Sequence, residues 1–103
     1  METHGFLEGV VCVDGLGLGI PDAKITVYSK GAQTPLLLLT SNSAGSLCKT
    51  PLVCPARTDR PAYAYYDVVA EANGYGPHRE TVPIFEGVTT YTSFSLKTKE
   101  KHA

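Results

Sequence analysis

Three histidines, three cysteines and six tyrosines are the side chains of this 103-residue chain best suited to chemistry. His4 and His102 lie close to the ends of the sequence, so a preorganised histidine pair is hard to build. His78 is left. It follows Gly76 and Pro77 in an expected bend and precedes Arg79 and Glu80, which gathers an imidazole and two charges at one end of the fold. A solvated turn histidine is the simpler role for it, and a binding contact the sharper one. Nucleophilic catalysis needs a Ser or Cys beside a base held by a third group, and no GxSxG elbow is present. Cys12, Cys48 and Cys54 cannot all pair within one chain, which speaks against an oxidising compartment and for free, buried thiols. Cys48 and Cys54 flank KTPLV and could meet across a bend, so a disulfide between them stays open. A zinc site would need a fourth ligand and closer spacing. The GLGLG run at Gly15 to Gly19 has no helix after it and reads as a turn, not a phosphate cradle. No metal and no organic cofactor is expected.

Binding chemistry has better raw material. Tyr28, Tyr65 and Tyr91 fall at outward positions of expected strands, where exposed rings could stack on sugar rings. Tyrosines that simply cover a sheet are the plainer alternative. If the three share one sheet they form a platform, and if they fall on different sheets they cannot. Tyr63, Tyr75 and Phe85 are expected to anchor loops, and Asp67 and Glu71 to be outward and solvated.

The elements that must position these residues are strands. Ten glycines, seven prolines and 43% apolar residues describe a folded, turn-rich chain, and its length suits one domain. Short apolar alternations recur about every ten residues between Gly, Pro, Asn and Asp, with no segment of helical period. Strands are expected over residues 6–13, 23–29, 36–40, 46–50, 65–72, 79–84 and 88–96. Leu7, Val11, Ile25, Val27, Val68, Ala70, Phe94 and Leu96 should form the core, with Val13 beside them. The four leucines at 36–39 suit burial on both sides, or a protein-interaction patch at a sheet edge if part of the run is exposed. Pro51, Pro55 and Pro61 should bracket the longest loop, which carries Arg57, Asp59 and Arg60. A single domain over 1–97 is expected, followed by a charged, mobile tail over 98–103.

A net charge of −1 gives no general attraction to nucleic acid or to an anionic membrane. No stretch has the length or apolarity of a membrane span, and METHGFLEG lacks the pattern of a signal peptide.

The landmarks lie in a telling order: GVVCV at Gly9 to Val13, IPDAKITVY at Ile20 to Tyr28, TSNSAGS at Thr40 to Ser46, YDVVAEANGY at Tyr66 to Tyr75, and SFSL at Ser93 to Leu96. Over residues 5–97 this order resembles the carboxypeptidase regulatory-like family, whose members share the transthyretin-like (prealbumin-like) sandwich. The resemblance implies an all-β, seven-stranded antiparallel Greek-key sandwich acting as a non-catalytic structural or binding module. Pro61 to Asp67 and Val82 to Gly87 resemble domains that accompany spore-cortex and peptidoglycan-processing proteins of Gram-positive spore formers. That likeness implies peptidoglycan or another glycan, or a partner protein domain, as the ligand, and a spore or envelope location. Enzymes on related sandwiches are poorly matched. The end YTSFSLKTKEKHA lacks the Tyr-Arg-Gly-Ser motif of the transthyretin-related hydrolase. The two-Tyr, two-His iron set of the sandwich dioxygenases wants a second ordered histidine. The isopeptide of Cna-type adhesins wants a lysine that FLEGVVCV does not contain.

Overall fold

Alternation of apolar and polar residues decides the architecture, because a strand with one apolar face must bury it against a second sheet. In the computed structural model, which describes residues 2–55 and 63–99 except for the side chains of Glu2 and Pro55, seven strands and no helix occur. They are β1 (Glu2–Val13), β2 (Lys24–Ser29), β3 (Leu37–Thr40), β4 (Ser46–Pro55), β5 (Tyr63–Glu71), β6 (His78–Phe85) and β7 (Thr89–Leu96). One sheet has the order β4-β1-β7 and the other β3-β2-β5-β6. All eight expected core residues are buried between the sheets, joined by Ile20, Ala23, Leu47, Leu52, Cys54, Tyr66, Val82 and Ile84. Val13 packs against their edge.

One pairing breaks the expected antiparallel rule. β7 runs parallel to β1, in register from Phe6↔Thr89 to Val13↔Leu96. The cause lies in the turn after β6. Gly87, at φ 72°, donates its N–H to His4 O, and Phe6 donates to Val88 O, which carries the chain over to the other sheet before β7 begins. β6 therefore pairs with β5 and not with β7.

β4 also differs from expectation. It runs on through Pro51 to Pro55, because β4 is an edge strand and a proline can sit in an edge without breaking a ladder. Its register against β1 slips between Leu7 and Gly9, so Cys48 and Lys49 together face Glu8. This bulge moves the inward positions from odd to even, with Leu47 buried before it and Leu52 and Cys54 buried after it. Cys48 and Cys54 lie on one extended strand, roughly 20 Å apart at strand rise, and form no disulfide. Cys48 is exposed and Cys12 half-buried, so only Cys54 is the buried thiol expected of all three.

The leucine run alternates instead of burying both faces. Leu37 and Leu39 pack on the core while Leu36 and Leu38 are exposed, since β3 forms the rim of its sheet. The chain after β7 is bonded to the turn between β5 and β6: Gly76 N donates to Lys97 O at 2.8 Å and Lys99 N to Gly74 O at 3.1 Å. The loop with Arg57, Asp59, Arg60 and Pro61, and the tail beyond Lys99 with His102, lie outside the described residues. Among the described residues no helix is long and apolar enough to cross a membrane.

Candidate functional site

The outer face of the four-stranded sheet gathers most of the distinctive side chains, and Asp67 organises it. Asp67 sits mid-strand on β5, facing Tyr28 of β2 on one side and Thr81 of β6 on the other. It was expected to be solvated, yet it is 5% exposed. Its Oδ2 accepts from Gly31 N at 3.1 Å and from Arg79 Nη2 at 3.0 Å, and its Oδ1 accepts from the Thr81 hydroxyl at 2.8 Å. The Gly31 amide, then the Thr81 hydroxyl, hold its carboxyl below the usual carboxylate range; burial opposes this and Arg79 reinforces it.

Because Asp67 ties down Gly31, the turn after β2 has a fixed position, and the neighbouring Lys30 lies over Tyr65 with Nζ 5.2 Å from the ring centroid. Tyr65 meets Tyr63 edge to face at 5.8 Å, and Tyr63 meets Phe85 at 6.1 Å across the β5–β6 register. Tyr65 and Phe85 are 45% and 41% exposed, so this aromatic row faces solvent. Tyr65 also forms one wall of an open, mainly apolar groove of about 560 Å³, with Leu36, Leu37, Pro51 and Leu52 on its other sides. That volume lies in the range of small-ligand sites. Beneath the groove Tyr66 donates its hydroxyl to Val53 O, tying β5 to the edge strand β4, and burial raises its pKa.

The sequence-selected residues are thus only partly assembled. Tyr28 and Tyr65 share the outer face of one sheet, whereas Tyr91 stands on β7 in the other sheet. The three-tyrosine platform does not form. Tyr63 and Phe85 extend the face in place of Tyr91. Neither is a loop anchor: β5 begins at Tyr63 and not at residue 65, as the Tyr63-x-Tyr65 spacing signals, and β6 runs to Phe85 and not only to residue 84. His78 is the first residue of β6 and not part of a bend. Its ring caps Phe94 edge to face at 6.4 Å, and its Nε2 stands 3.2 Å from Glu80 Oε1. It belongs to the opposite end of the sheet from the aromatic row. Among the described residues no group of three or more His, Cys, Asp or Glu side chains is placed to hold a metal ion.

Comparison with known proteins bears on the fold. No family model matches the chain, and no curated protein matches it in sequence. Solved structures do match. A segment of the Bacillus anthracis TIE protein superposes with TM-score 0.68 at 20% identity, covering 93% of this chain and 17% of that one. The minor pilin of the Gram-positive pathogen Streptococcus agalactiae gives TM-score 0.69 at 18% identity, over 98% of this chain and 47% of the pilin. 3-Chlorocatechol 1,2-dioxygenase from Rhodococcus opacus gives 0.66 at 12% identity, over 94% of this chain and 61% of the enzyme. The shared property is the β-sandwich. This chain spans less than two thirds of each of these three proteins, and the sandwich serves both an enzyme and a pilin, so function must be argued from this chain's own surface.

Proposed function

We propose that this chain is a non-catalytic structural and binding module, and that it presents the Tyr63–Tyr65–Phe85 face of its four-stranded sheet to a partner. The observation that carries this reading is the exposed aromatic row, topped by Lys30 and continuous with an apolar groove. Such a surface combines ring faces with a cation, the chemistry that stacks on and hydrogen-bonds to sugars. A glycan is therefore the preferred ligand. The likeness of Pro61 to Asp67 and Val82 to Gly87 to domains that accompany peptidoglycan-processing proteins points to peptidoglycan of an envelope or spore, and the strand order β4-β1-β7 against β3-β2-β5-β6 is compatible with a transthyretin-like sandwich. The accessory character is supported by the TIE protein and the pilin, in which the matching sandwich is part of a longer chain.

Retention on insoluble peptidoglycan tests the reading. The wild-type chain should be retained, and Tyr65→Ala should be released while folding normally. No retention of the wild type at millimolar binding-site concentration would remove the glycan partner. A second reading, docking to a protein, is favoured by Leu36 and Leu38, which are 54% and 64% exposed beside an open strand edge. Concentration-dependent light scattering that vanishes in Leu38→Lys would favour that reading instead.

A further inference from the structure

The parallel pairing of β1 and β7 has a mechanical meaning. In a parallel pair the two strands run the same way, so the start of β1 and the end of β7 lie at opposite ends of the ladder. Glu2 begins β1, and Leu96 ends β7 beside Val13, the last residue of β1. The separation is the length of β1, about 36 Å for twelve residues at strand rise, along a molecule whose longest extent is 57 Å. A pull on the two ends of the chain therefore acts along the strands and in opposite senses on β1 and β7. All bonds between them are loaded together. Had β7 been antiparallel to β1, both ends would emerge at the same end of the pair, and the bonds would open one at a time.

We propose that the β1–β7 pair is a tension-bearing clamp, which makes the domain a load-carrying link in any polypeptide that continues beyond both strands. Several features of the molecule fit that task. The ladder has eight consecutive in-register pairs, and it is extended by Phe6 N to Val88 O at 2.9 Å and Asp14 N to Leu96 O at 2.8 Å. β1 is the central strand of its sheet, held on its other side by β4, so it has no free edge to peel from. Sliding β7 would drag Phe94 and Leu96, both fully buried, out of the core. Beyond the clamp, the exit segment is fastened to the β5–β6 turn by the Lys97 and Lys99 backbone bonds.

Gly9 is fitted to this contact. A Cβ at Gly9 would collide with the backbone carbonyl of Thr92, its partner on β7, so the close approach of the two strands at this point requires glycine. β1 contains no lysine, so the hold consists of hydrogen bonds and packing that can re-form after rupture.

The inference is independent of the binding reading, because the chain is tested with no ligand present. The experiment is single-molecule stretching of the chain between marker domains in two geometries. In the first, force is applied through the N- and C-terminal ends. In the second it is applied through the C-terminal end and a Leu16→Cys attachment, with both geometries in a Cys12→Ser, Cys48→Ser background so that Cys54, which is buried, is the remaining native thiol. Leu16 is 69% exposed in the loop after β1, so the substitution does not disturb the core. From Leu16 the same β1–β7 bonds are unzipped instead of sheared. Forced rupture reports the unfolding barrier along the pulling direction. The end-to-end geometry should rupture at several times the force of the Leu16 geometry at equal loading rate. Equal forces, or a weaker end-to-end geometry, would overturn the clamp.

Discussion

Asp67 links acid stability to the shape of the surface. Its carboxyl is held below its ordinary range, so it binds a proton less readily in the folded chain than in the unfolded one. The stability it supplies is complete above the unfolded carboxylate value and is lost as pH falls through the folded one. Urea midpoints followed from neutral pH downward should therefore decline on the acid side, and Asp67→Asn should flatten that decline. An unchanged acid limb in Asp67→Asn would mean that other carboxylates govern it. Cysteines give a second test at this scale. Burial pushes the Cys54 thiol up, and its Sγ donates to Ile84 O at 3.4 Å, whereas Cys48 is exposed on the outer side of the bulge. Alkylation of the native protein should modify Cys48 quickly and Cys54 only on unfolding. Rapid labelling of both would contradict the bulged register of β4.

Within single elements, much of the fold is legible because alternation is unbroken. β2 and β5 place Ile25, Val27, Val68 and Ala70 inward in the expected way, and Phe94 and Leu96 do the same on β7. β4 is longer than expected and its inside and outside reverse at one inserted residue, which nothing in SLCKTPLVCP marks. Pro51 looked like the start of a loop, since being on an edge is a property of the sheet and not of the residue. The burial of Asp67 was hidden for a related reason. Its three partners come from a turn and from a neighbouring strand, and register alone brings them to it. Two substitutions test the element packing. Phe94→Ala should lower unfolding free energy by about 3–5 kcal/mol in chemical denaturation, as expected for a fully buried aromatic. Gly9→Ala should cost about 1–3 kcal/mol although it adds a single methyl group, because it must push β7 away from β1. A neutral Gly9→Ala would show that the two strands can separate locally without loss.

At the scale of the whole molecule, the strand order sets what the surface can be used for. Tyr28 and Tyr65 meet on one sheet because β2 and β5 are neighbours, and Tyr91 is lost to the other sheet because the chain crosses over after β6. Which strands neighbour one another could not be read from spacing alone, and this is why a plausible set of three tyrosines was only partly right. The same crossover creates the parallel pair and sends the two ends of the strand path in opposite directions. The most direct test of the binding face is residue-resolved NMR during titration with soluble peptidoglycan fragments. Shifts should concentrate on Lys30, Tyr63, Tyr65 and Phe85 and spread into the groove at Leu37, while Tyr91 and His78 stay still. Tyr65→Ala should abolish the response and lower stability by no more than about 1–2 kcal/mol, the scale of its ring contacts with Tyr63 and Lys30. No shifts at millimolar ligand, or shifts centred on Tyr91 or His78, would contradict the account.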